Sequence, residues 1–262
     1  MRPVLPYSLT PDPPPLDRGA VHVWRAHIDT AARSEPCLLA ALVPEERQRA
    51  LRFHFREDRD RYVTCRGLLR RMIHLYTGIA PGQVSFRVGP YGKPFLANDT
   101  RRGIQFSVAH SGGLALLAFA QREIGVDLEF VRSDLDCREV AQSCFSAEER
   151  DDIFSLPALE QKPAFFEYWT CKEACVKADG RGLSLPLESF RIAHGRRGWA
   201  QAISGPVAAI APWTIRLLRV GDEYRAAVAA IGWDWTVQPF EIPRMDAEMD
   251  CFPEARGYHY SS

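Results

Sequence analysis

Apolar residues along this chain recur at helical spacing in some stretches and at every second position in others. Residues 57–78 carry a helical pattern that stops at Gly78, and residues 161–179 carry a second long one. Residues 21–28 alternate apolar and polar side chains, which is typical of a strand. The pattern therefore predicts a mixture of helices and strands.

Glycine-rich turns separate several further strands. Residues 106–111 and the apolar run 113–120 predict two of them. Because QREIG turns the chain into VDLEF, residues 113–130 are predicted to form a hairpin. Residues 213–231 predict another pair of strands near the end of the chain.

Two short sequences recur about a hundred residues apart. PEER (44–47) returns as AEER (147–150), and YVTCR (62–66) returns as YWTCK (168–172). The matches predict an α+β fold of two similar halves that meet near residues 121–125. We expect four segments: a proline-rich lead-in (1–20), an N-terminal half (21–122), a C-terminal half (123–238) and an irregular tail (239–262).

Charge is balanced over the whole chain but not along it. The formal net charge is zero, which argues against a general attraction to nucleic acids or membranes. Residues 47–71 hold nine arginines against three acidic residues, whereas residues 123–160 hold eleven acidic residues against three arginines. Such a division suits a site that binds a polyanion on one side and a cation on the other.

The seven cysteines form no CxxC pair, and their number is odd. No apolar run has the length of a signal peptide core or a membrane span. We therefore expect a reduced, cytoplasmic protein with no membrane partner, in which most cysteines are small core residues.

Three carboxylates are candidates for a metal site. In a strand GVDLEF, Asp127 and Glu129 point to the same face. Glu173 lies on the helix 161–179, in line with Trp169. A half-exposed strand with a solvated acidic face is the simpler interpretation. Three converging carboxylates, however, repel each other unless a cation lies between them, and oxygen ligands alone suit Mg²⁺ or Mn²⁺.

A magnesium ion with few protein ligands completes its shell with water and substrate phosphates. A phosphate-bearing substrate is therefore implied, and the arginines of residues 47–71 could bind it. Lys177, one turn beyond Glu173, could reach a phosphate as a point charge. His110 ends a predicted strand just before two glycines, where a ligand could approach the backbone.

Four motifs in a fixed order carry a resemblance to a known family. They are YGKP (91–94), FSVAHS (106–111), GVDLE (125–129) and WTCKEACVKADGRGL (169–183). Together the motifs resemble the 4′-phosphopantetheinyl transferases of the surfactin-synthetase-activating type, over about residues 21–235. The resemblance implies a monomer of two α+β halves with the active site between them. It also implies Mg²⁺-dependent transfer of phosphopantetheine from coenzyme A to a serine of an acyl or peptidyl carrier protein, releasing 3′,5′-ADP.

The resemblance also implies roles for individual residues. Asp127, Glu129 and Glu173 would be metal ligands, with Glu173 also a candidate base; Lys177 would contact the diphosphate; Arg49, Arg61 and His110 would bind phosphate; and Lys93 and Pro94 would lie beside the adenine. Glu46 stands where some members have a lysine, so the contacts to the 3′-phosphate are expected to differ.

Two other functions remain open on the residues alone. A different Mg²⁺-dependent phosphotransferase or phosphatase could use the same three acids. An arginine-rich module could instead bind RNA or DNA through residues 47–71, although few aromatic residues there are available for base stacking. A trimeric, short-chain carrier-protein synthase is set aside because such chains are about half as long.

Overall fold

The fold is α+β, as predicted, and comes from a computed structural model that describes residues 7–9, 12–28, 35–97, 103–194, 198–205 and 212–243. The helices are α1 (Glu35–Ala41), α2 (Pro44–Ala50), α3 (Arg56–Thr77), α4 (Cys137–Cys144), α5 (Ala147–Phe154) and α6 (Ala158–Asp179). The strands are β1 (Ser8–Leu9), β2 (Ala20–His27), β3 (Phe86–Val88), β4 (Pro94–Leu96), β5 (Gln105–Ser111), β6 (Leu114–Ala120), β7 (Ile124–Phe130), β8 (Arg191–His194), β9 (Trp199–Ser204), β10 (Trp213–Leu218), β11 (Tyr224–Ile231) and β12 (Thr236–Glu241).

Two five-stranded sheets each pack against one long helix. The first sheet has the order β1-β12-β2-β6-β5, and the second has the order β7-β11-β10-β9-β8. Strands β3 and β4 form a separate two-stranded hairpin. Buried side chains of α3 share a core with the first sheet, and those of α6 share a core with the second.

Strand β6 is apolar at every position because both of its faces are covered. Leu117 and Phe119 belong to the core beneath α3, whereas Leu116 and Ala118 belong to a third core between the two sheets. Val126 of β7 lies in that third core as well. The continuous run of apolar residues therefore reflects burial between a helix and a second sheet.

Glycines end both long helices. Gly78 after α3 has φ 77° and Gly180 after α6 has φ 85°, and both lie in the left-handed region that favours glycine at a helix end. Each helix has 22 residues. The helix end predicted at Gly78 is confirmed.

The predicted hairpin over residues 113–130 is wrong. Strand β6 pairs with β2 and β5, whereas β7 pairs with β11. Both edges of β6 are occupied within its own sheet, so β7 cannot pair with it. The turn between them carries the chain from one sheet to the other.

The predicted irregular tail is wrong for residues 239–241. Strand β12 crosses the expected boundary at 238 and pairs in parallel with β2 of the first sheet. Within the lead-in, Ser8 and Leu9 form β1 beside β12. The sequence TVQPFE lacks a clear alternation and contains Pro239, so its strand character comes from its neighbours rather than from its own pattern.

The internal repeat of the sequence corresponds to a carboxylate–cation contact that occurs once in each half. Glu46, in the first turn of α2, binds Arg66 of α3 with 2.5 Å between Oε1 and Nε. Glu149, in the first turn of α5, binds Lys172 of α6 with 2.8 Å between Oε2 and Nζ. These residues stand at matching positions of the repeated sequences. The contacts support two similar halves, and a pseudo-two-fold relation between the whole halves stays a prediction.

The cysteines are mostly core residues. Cys171 and Cys175 are fully buried in the core around α6, as expected for helix packing. Among the described residues, the free thiols are Cys65, Cys137, Cys144, Cys171 and Cys175. Cys37 is disulfide-bonded, so the expectation of a fully reduced protein is wrong at that residue. Within the described ranges, every helix is too short or too polar to cross a membrane.

Candidate active site

Helix α6 lies directly on strand β7 because Gly125 has no side chain. A Cβ added to Gly125 would lie 2.1 Å from the carbonyl oxygen of Ala174 and 2.4 Å from the amide nitrogen of Ala178. Any other residue would push the helix away from the strand. This close packing brings Lys177 of α6 against Asp127 of β7.

Aromatic side chains anchor α6 in the core of the C-terminal half. Phe166 is 3% exposed and belongs to this core. Trp169 is only partly buried and stacks on Phe165 with 6.0 Å between ring centroids. These contacts fix the helix that carries Glu173 against the core, and Trp169 itself stays partly exposed.

The acidic face of β7 is buried at Asp127 and half-buried at Glu129, so the interpretation as a solvated outer face is wrong at Asp127. Asp127 is 4% exposed, and Lys177 Nζ donates a hydrogen bond to its Oδ1 at 2.6 Å. The other oxygen, Oδ2, is buried and has no hydrogen-bond partner among the described residues. Asp127 thus has one oxygen neutralised by an ammonium and one oxygen left over.

The three predicted metal ligands all resist ionisation. Burial raises the pKa of Asp127, Glu129 and Glu173, and the charge of Asp127 raises the pKa of both glutamates further. A cation among them would relieve this repulsion. In the part of the chain that the structure describes, however, no three His, Cys, Asp or Glu side chains already form a metal-binding group.

A cavity of about 810 Å³ opens between the two halves. Its lining includes seven of the nine predicted site residues: Arg49, Arg61, Lys93, Pro94, His110, Glu173 and Lys177. Asp127 and Glu129 do not line it. Asp127 instead reaches the cavity through its contact with Lys177.

Both predicted phosphate-binding arginines have partners within the N-terminal half. Arg61 donates from NH1 to Asp58 Oδ1 at 3.0 Å, which is the contact expected if Arg61 only supports its own helix. Arg61 and Asp58 nevertheless both line the cavity. Arg49 lies over the ring of Tyr62, 5.3 Å from its centroid. An anion in the cavity would meet Arg61 with its charge partly balanced by Asp58.

Lys93 joins the β3–β4 hairpin to the C-terminal half. Its Nζ donates to Glu123 Oε2 at 2.7 Å and to the carbonyl oxygen of Ala178, near the end of α6, at 2.8 Å. A Cβ on Gly180 would lie 3.0 Å from Lys93 Cδ, so the lysine stem packs closely on this turn. Lys93 therefore connects the N-terminal half to the end of α6 at the wall of the cavity.

His110 lies among cations. Burial lowers its pKa, and the charges of Arg61 and Lys177 lower it further. Both effects favour the neutral imidazole. A bound anion would offset the two cations and favour its protonation.

Sequence reasoning missed Arg66, which also lines the cavity. Its Nε donates to Glu46, and its guanidinium lies 3.9 Å from the centre of the Phe86 ring. Glu46 is buried and does not line the cavity. Although burial opposes ionisation, hydrogen bonds from Arg70 and Arg66 hold the pKa of Glu46 below its ordinary value. The acid that replaces a lysine is therefore neutralised by two arginines.

Much of the positive charge of residues 47–71 is engaged inside the N-terminal half. Arg70 donates to Glu46 and to the carbonyl oxygens of Pro81 and Val84. Arg47 donates to the carbonyl oxygen of Leu42. These contacts leave less free charge for a long polyanion and weaken the nucleic-acid alternative.

Comparisons with known proteins agree on one family. A family model for the 4′-phosphopantetheinyl transferase superfamily matches residues 123–229, and a model for the N-terminal part of 4′-phosphopantetheinyl transferases matches residues 31–122. The 4′-phosphopantetheinyl transferase HetI of Nostoc sp. (strain PCC 7120) is 37% identical over 236 residues, which cover 88% of this chain and 97% of that relative.

Similar proteins also occur in Bacillus subtilis. A 4′-phosphopantetheinyl transferase is 31% identical over 76% of this chain and 87% of its own length. The 4′-phosphopantetheinyl transferase Sfp of strain 168 is 30% identical over 73% of this chain and 83% of its own length. Among solved structures, a holo-[acyl-carrier-protein] synthase of Neisseria meningitidis covers 42% of this chain at a TM-score of 0.36 and 15% identity, a likeness too small to support an argument.

Proposed function

This chain belongs to the 4′-phosphopantetheinyl transferase superfamily, and we propose that it transfers the 4′-phosphopantetheine group of coenzyme A to a serine of an apo acyl or peptidyl carrier protein, with Mg²⁺ and release of 3′,5′-ADP. The enzyme class follows from the family. The metal, the leaving group and the serine acceptor are the proposed details. We further propose that the enzyme acts as a cytoplasmic monomer.

The cavity between the halves carries this proposal. Arg49, Arg61 and Arg66 line it from the N-terminal half, and Glu173 and Lys177 line it from α6. Coenzyme A is a polyanion whose reacting phosphate must meet the acidic end of the site. The arrangement therefore suits a substrate that is held by cations and reacts beside carboxylates.

The N-terminal half would bind the phosphates of coenzyme A. Arg49, Arg61 and His110 are the residues proposed for this role, and Arg66 joins them because it lines the same cavity. The stem of Lys93 and the ring of Pro94 would lie beside the adenine. Since the Lys93 ammonium already binds Glu123, we expect its stem to matter more than its charge.

Asp127, Glu129 and Glu173 fit a magnesium ion by the chemistry of their oxygens and by the buried Oδ2 of Asp127, for which no residue within the described ranges supplies a hydrogen bond. Bound there, Mg²⁺ would neutralise charge on the diphosphate as a Lewis acid. Lys177 binds Asp127 here, and it would turn to the diphosphate when the substrate arrives. The raised pKa of Glu173 suits it to accept the proton of the carrier serine.

The direct test incubates the purified chain with coenzyme A, Mg²⁺ and a panel of apo carrier proteins. We expect at least one carrier to gain the mass of phosphopantetheine, and we expect Asp127→Ala and Glu173→Ala to abolish the gain while remaining folded. Near-normal transfer by either variant at saturating Mg²⁺ would refute the metal assignment. Hydrolysis of simple phosphate esters without any carrier modification would instead favour a phosphatase.

A further inference from the structure

The edge strands of the two sheets run side by side between the halves. The N–H of Val126 on β7 donates to Ser107 Oγ on β5 at 3.0 Å, and the N–H of Phe130 donates to Ser111 Oγ at 3.0 Å. The donors and the acceptors are each four residues apart, so the two strands run in the same direction. Two serine hydroxyls thus join the sheets where backbone carbonyls would join strands of one sheet.

The two serines differ in whether they bind a carboxylate. Ser111 Oγ also donates a hydrogen bond to Glu129 Oε2 at 2.9 Å, whereas Ser107 contacts no carboxylate among the described residues. Because the Phe130 N–H occupies a lone pair of Ser111 Oγ, the hydroxyl hydrogen is left to face Glu129. Ser111 therefore orients a carboxylate that stands two residues from Asp127.

A residue of the second sheet holds the turn that follows Ser111. The N–H of Gly113 donates to Tyr224 Oη at 3.2 Å, and the Tyr224 ring contacts Phe130 edge-on with 5.2 Å between centroids. Gly112 has φ 54°, and a Cβ there would lie 2.8 Å from Tyr224 Oη. Tyr224 from β11 thus fixes the end of β5 against β7.

We propose that Ser111 is a positioning residue of the active site, which sets the orientation of the Glu129 carboxylate, and that Tyr224 supports it by holding the turn. The inference rests on the proposed function, because it takes Glu129 to be a metal ligand. Hydrogen-bond partners of metal ligands commonly change metal affinity by about 10- to 100-fold when they are removed. Without the Ser111 hydroxyl, the Glu129 side chain would have to be ordered at the moment of metal binding.

The test measures Mn²⁺ binding directly by electron paramagnetic resonance of the free ion, without carrier or turnover. Ser107→Ala is the matched control, since it loses the same kind of bond to a β7 amide but no bond to a carboxylate. We expect Ser111→Ala to bind Mn²⁺ at least about 10-fold more weakly than the wild type. Ser107→Ala should keep the wild-type affinity, and Ser111→Thr, which retains a hydroxyl, should recover most of the loss.

Two outcomes separate this inference from the proposed function. If the wild type binds Mn²⁺ and modifies a carrier, but Ser111→Ala binds Mn²⁺ as Ser107→Ala does, the inference is overturned and the function stands. If the wild type neither binds Mn²⁺ nor modifies any carrier, both are overturned. Should Ser111→Ala fail to fold in a thermal melt, Tyr224→Phe decides: weaker Mn²⁺ binding supports the inference, and unchanged binding overturns it.

Discussion

The two halves contain the same carboxylate–cation contact in two different settings. In the C-terminal half, the side chains of Glu149 and Lys172 are both 0% exposed. In the N-terminal half, the side chains of Glu46 and Arg66 are 10% and 23% exposed, and Arg66 lines the cavity. The matching positions therefore serve the core in one half and the surface of the cavity in the other.

Lys172 uses all three of its hydrogens inside the protein. Its Nζ binds Glu149 and donates to the carbonyl oxygens of Leu187 at 2.7 Å and Phe190 at 2.5 Å. Glu149 in turn accepts a hydrogen bond from the N–H of Ile192 at 2.8 Å. The pair ties α5 and α6 to the segment that leads into β8, and Leu187 of that segment lines the cavity.

Arg66 binds Glu46 with one edge only. The second arginine beside Glu46, Arg70, is 2% exposed and donates to Glu46 from inside the core. A guanidinium has donors on several edges, so Arg66 can bind Glu46 and still offer donors to a ligand, whereas an ammonium saturated by three acceptors cannot. The difference between arginine and lysine thus accompanies the difference between a ligand-facing and a structural role.

The largest expected effect comes from breaking the buried pair of the C-terminal half. Lys172→Met leaves Glu149 charged and buried without its cation, which costs about 3–5 kcal/mol in comparable cases. We expect a loss of that size in the free energy of unfolding, measured by urea denaturation. The double variant Glu149→Leu/Lys172→Met should recover much of the loss, since no charge then stays buried. Equal instability of the single and double variants would contradict this account.

Acid should weaken the core of the N-terminal half. His22 is 0% exposed, its Nδ1 lies 2.8 Å from Tyr76 Oη, and burial lowers its pKa to about 4. The unfolded chain protonates this histidine at about pH 6.5. The contribution of His22 to the free energy of unfolding is therefore fully present above that pH and is lost as pH falls through about 4. We expect His22 to account for about 3 kcal/mol of that loss.

Urea unfolding of the wild type and of His22→Phe between pH 7 and pH 4 measures this effect. The pH dependence is compared rather than the absolute stability, because the substitution also changes packing. A variant that loses as much stability on acidification as the wild type would assign the acid sensitivity to other groups.

Removing the cavity-lining cation of the N-terminal pair should affect binding more than folding. Arg66→Met is expected to weaken coenzyme A binding by about 10- to 100-fold, the range for a hydrogen bond to a charged group. Because Arg70 still neutralises Glu46, we expect Arg66→Met to change the free energy of unfolding much less than Lys172→Met does. Calorimetric titration with coenzyme A measures the affinity.

Arg52→Met is the matched control, because Arg52 is exposed and does not line the cavity. An Arg66 variant that binds coenzyme A as the Arg52 variant does would show that Arg66, like Lys172, is structural.

The smallest effect should have the opposite sign. Burial and the charge of Asp127 raise the pKa of Glu173, so ionised Glu173 destabilises the metal-free fold at neutral pH. Glu173→Gln should therefore stabilise the metal-free protein, by less than about 1 kcal/mol given its partial exposure. The gain should vanish at acid pH, where Glu173 is protonated in any case. Thermal melts of the wild type and Glu173→Gln at pH 7.5 and pH 4, with a chelator present, measure this difference. A melting temperature of Glu173→Gln below that of the wild type at pH 7.5 would contradict the repulsion.

Local patterns in the sequence determined the two long helices, the helix end at Gly78, the pair of strands near the end of the chain and the acidic strand with Asp127 and Glu129. They could do so because helix periodicity, strand alternation and glycine helix ends depend on residues within a few positions of each other. The order of the four motifs also indicated the family, and the comparisons confirm it.

Only the tertiary structure decided which strands pair and which side chains meet. The apolar run of β6 and the turn after it are compatible with a hairpin, but β2 and β5 occupy both edges of β6. The partners of Arg66, Lys172 and Ser111 lie 20, 23 and 18 residues away in the chain, respectively. Such contacts depend on how helices and sheets pack, and no pattern over neighbouring residues records that packing.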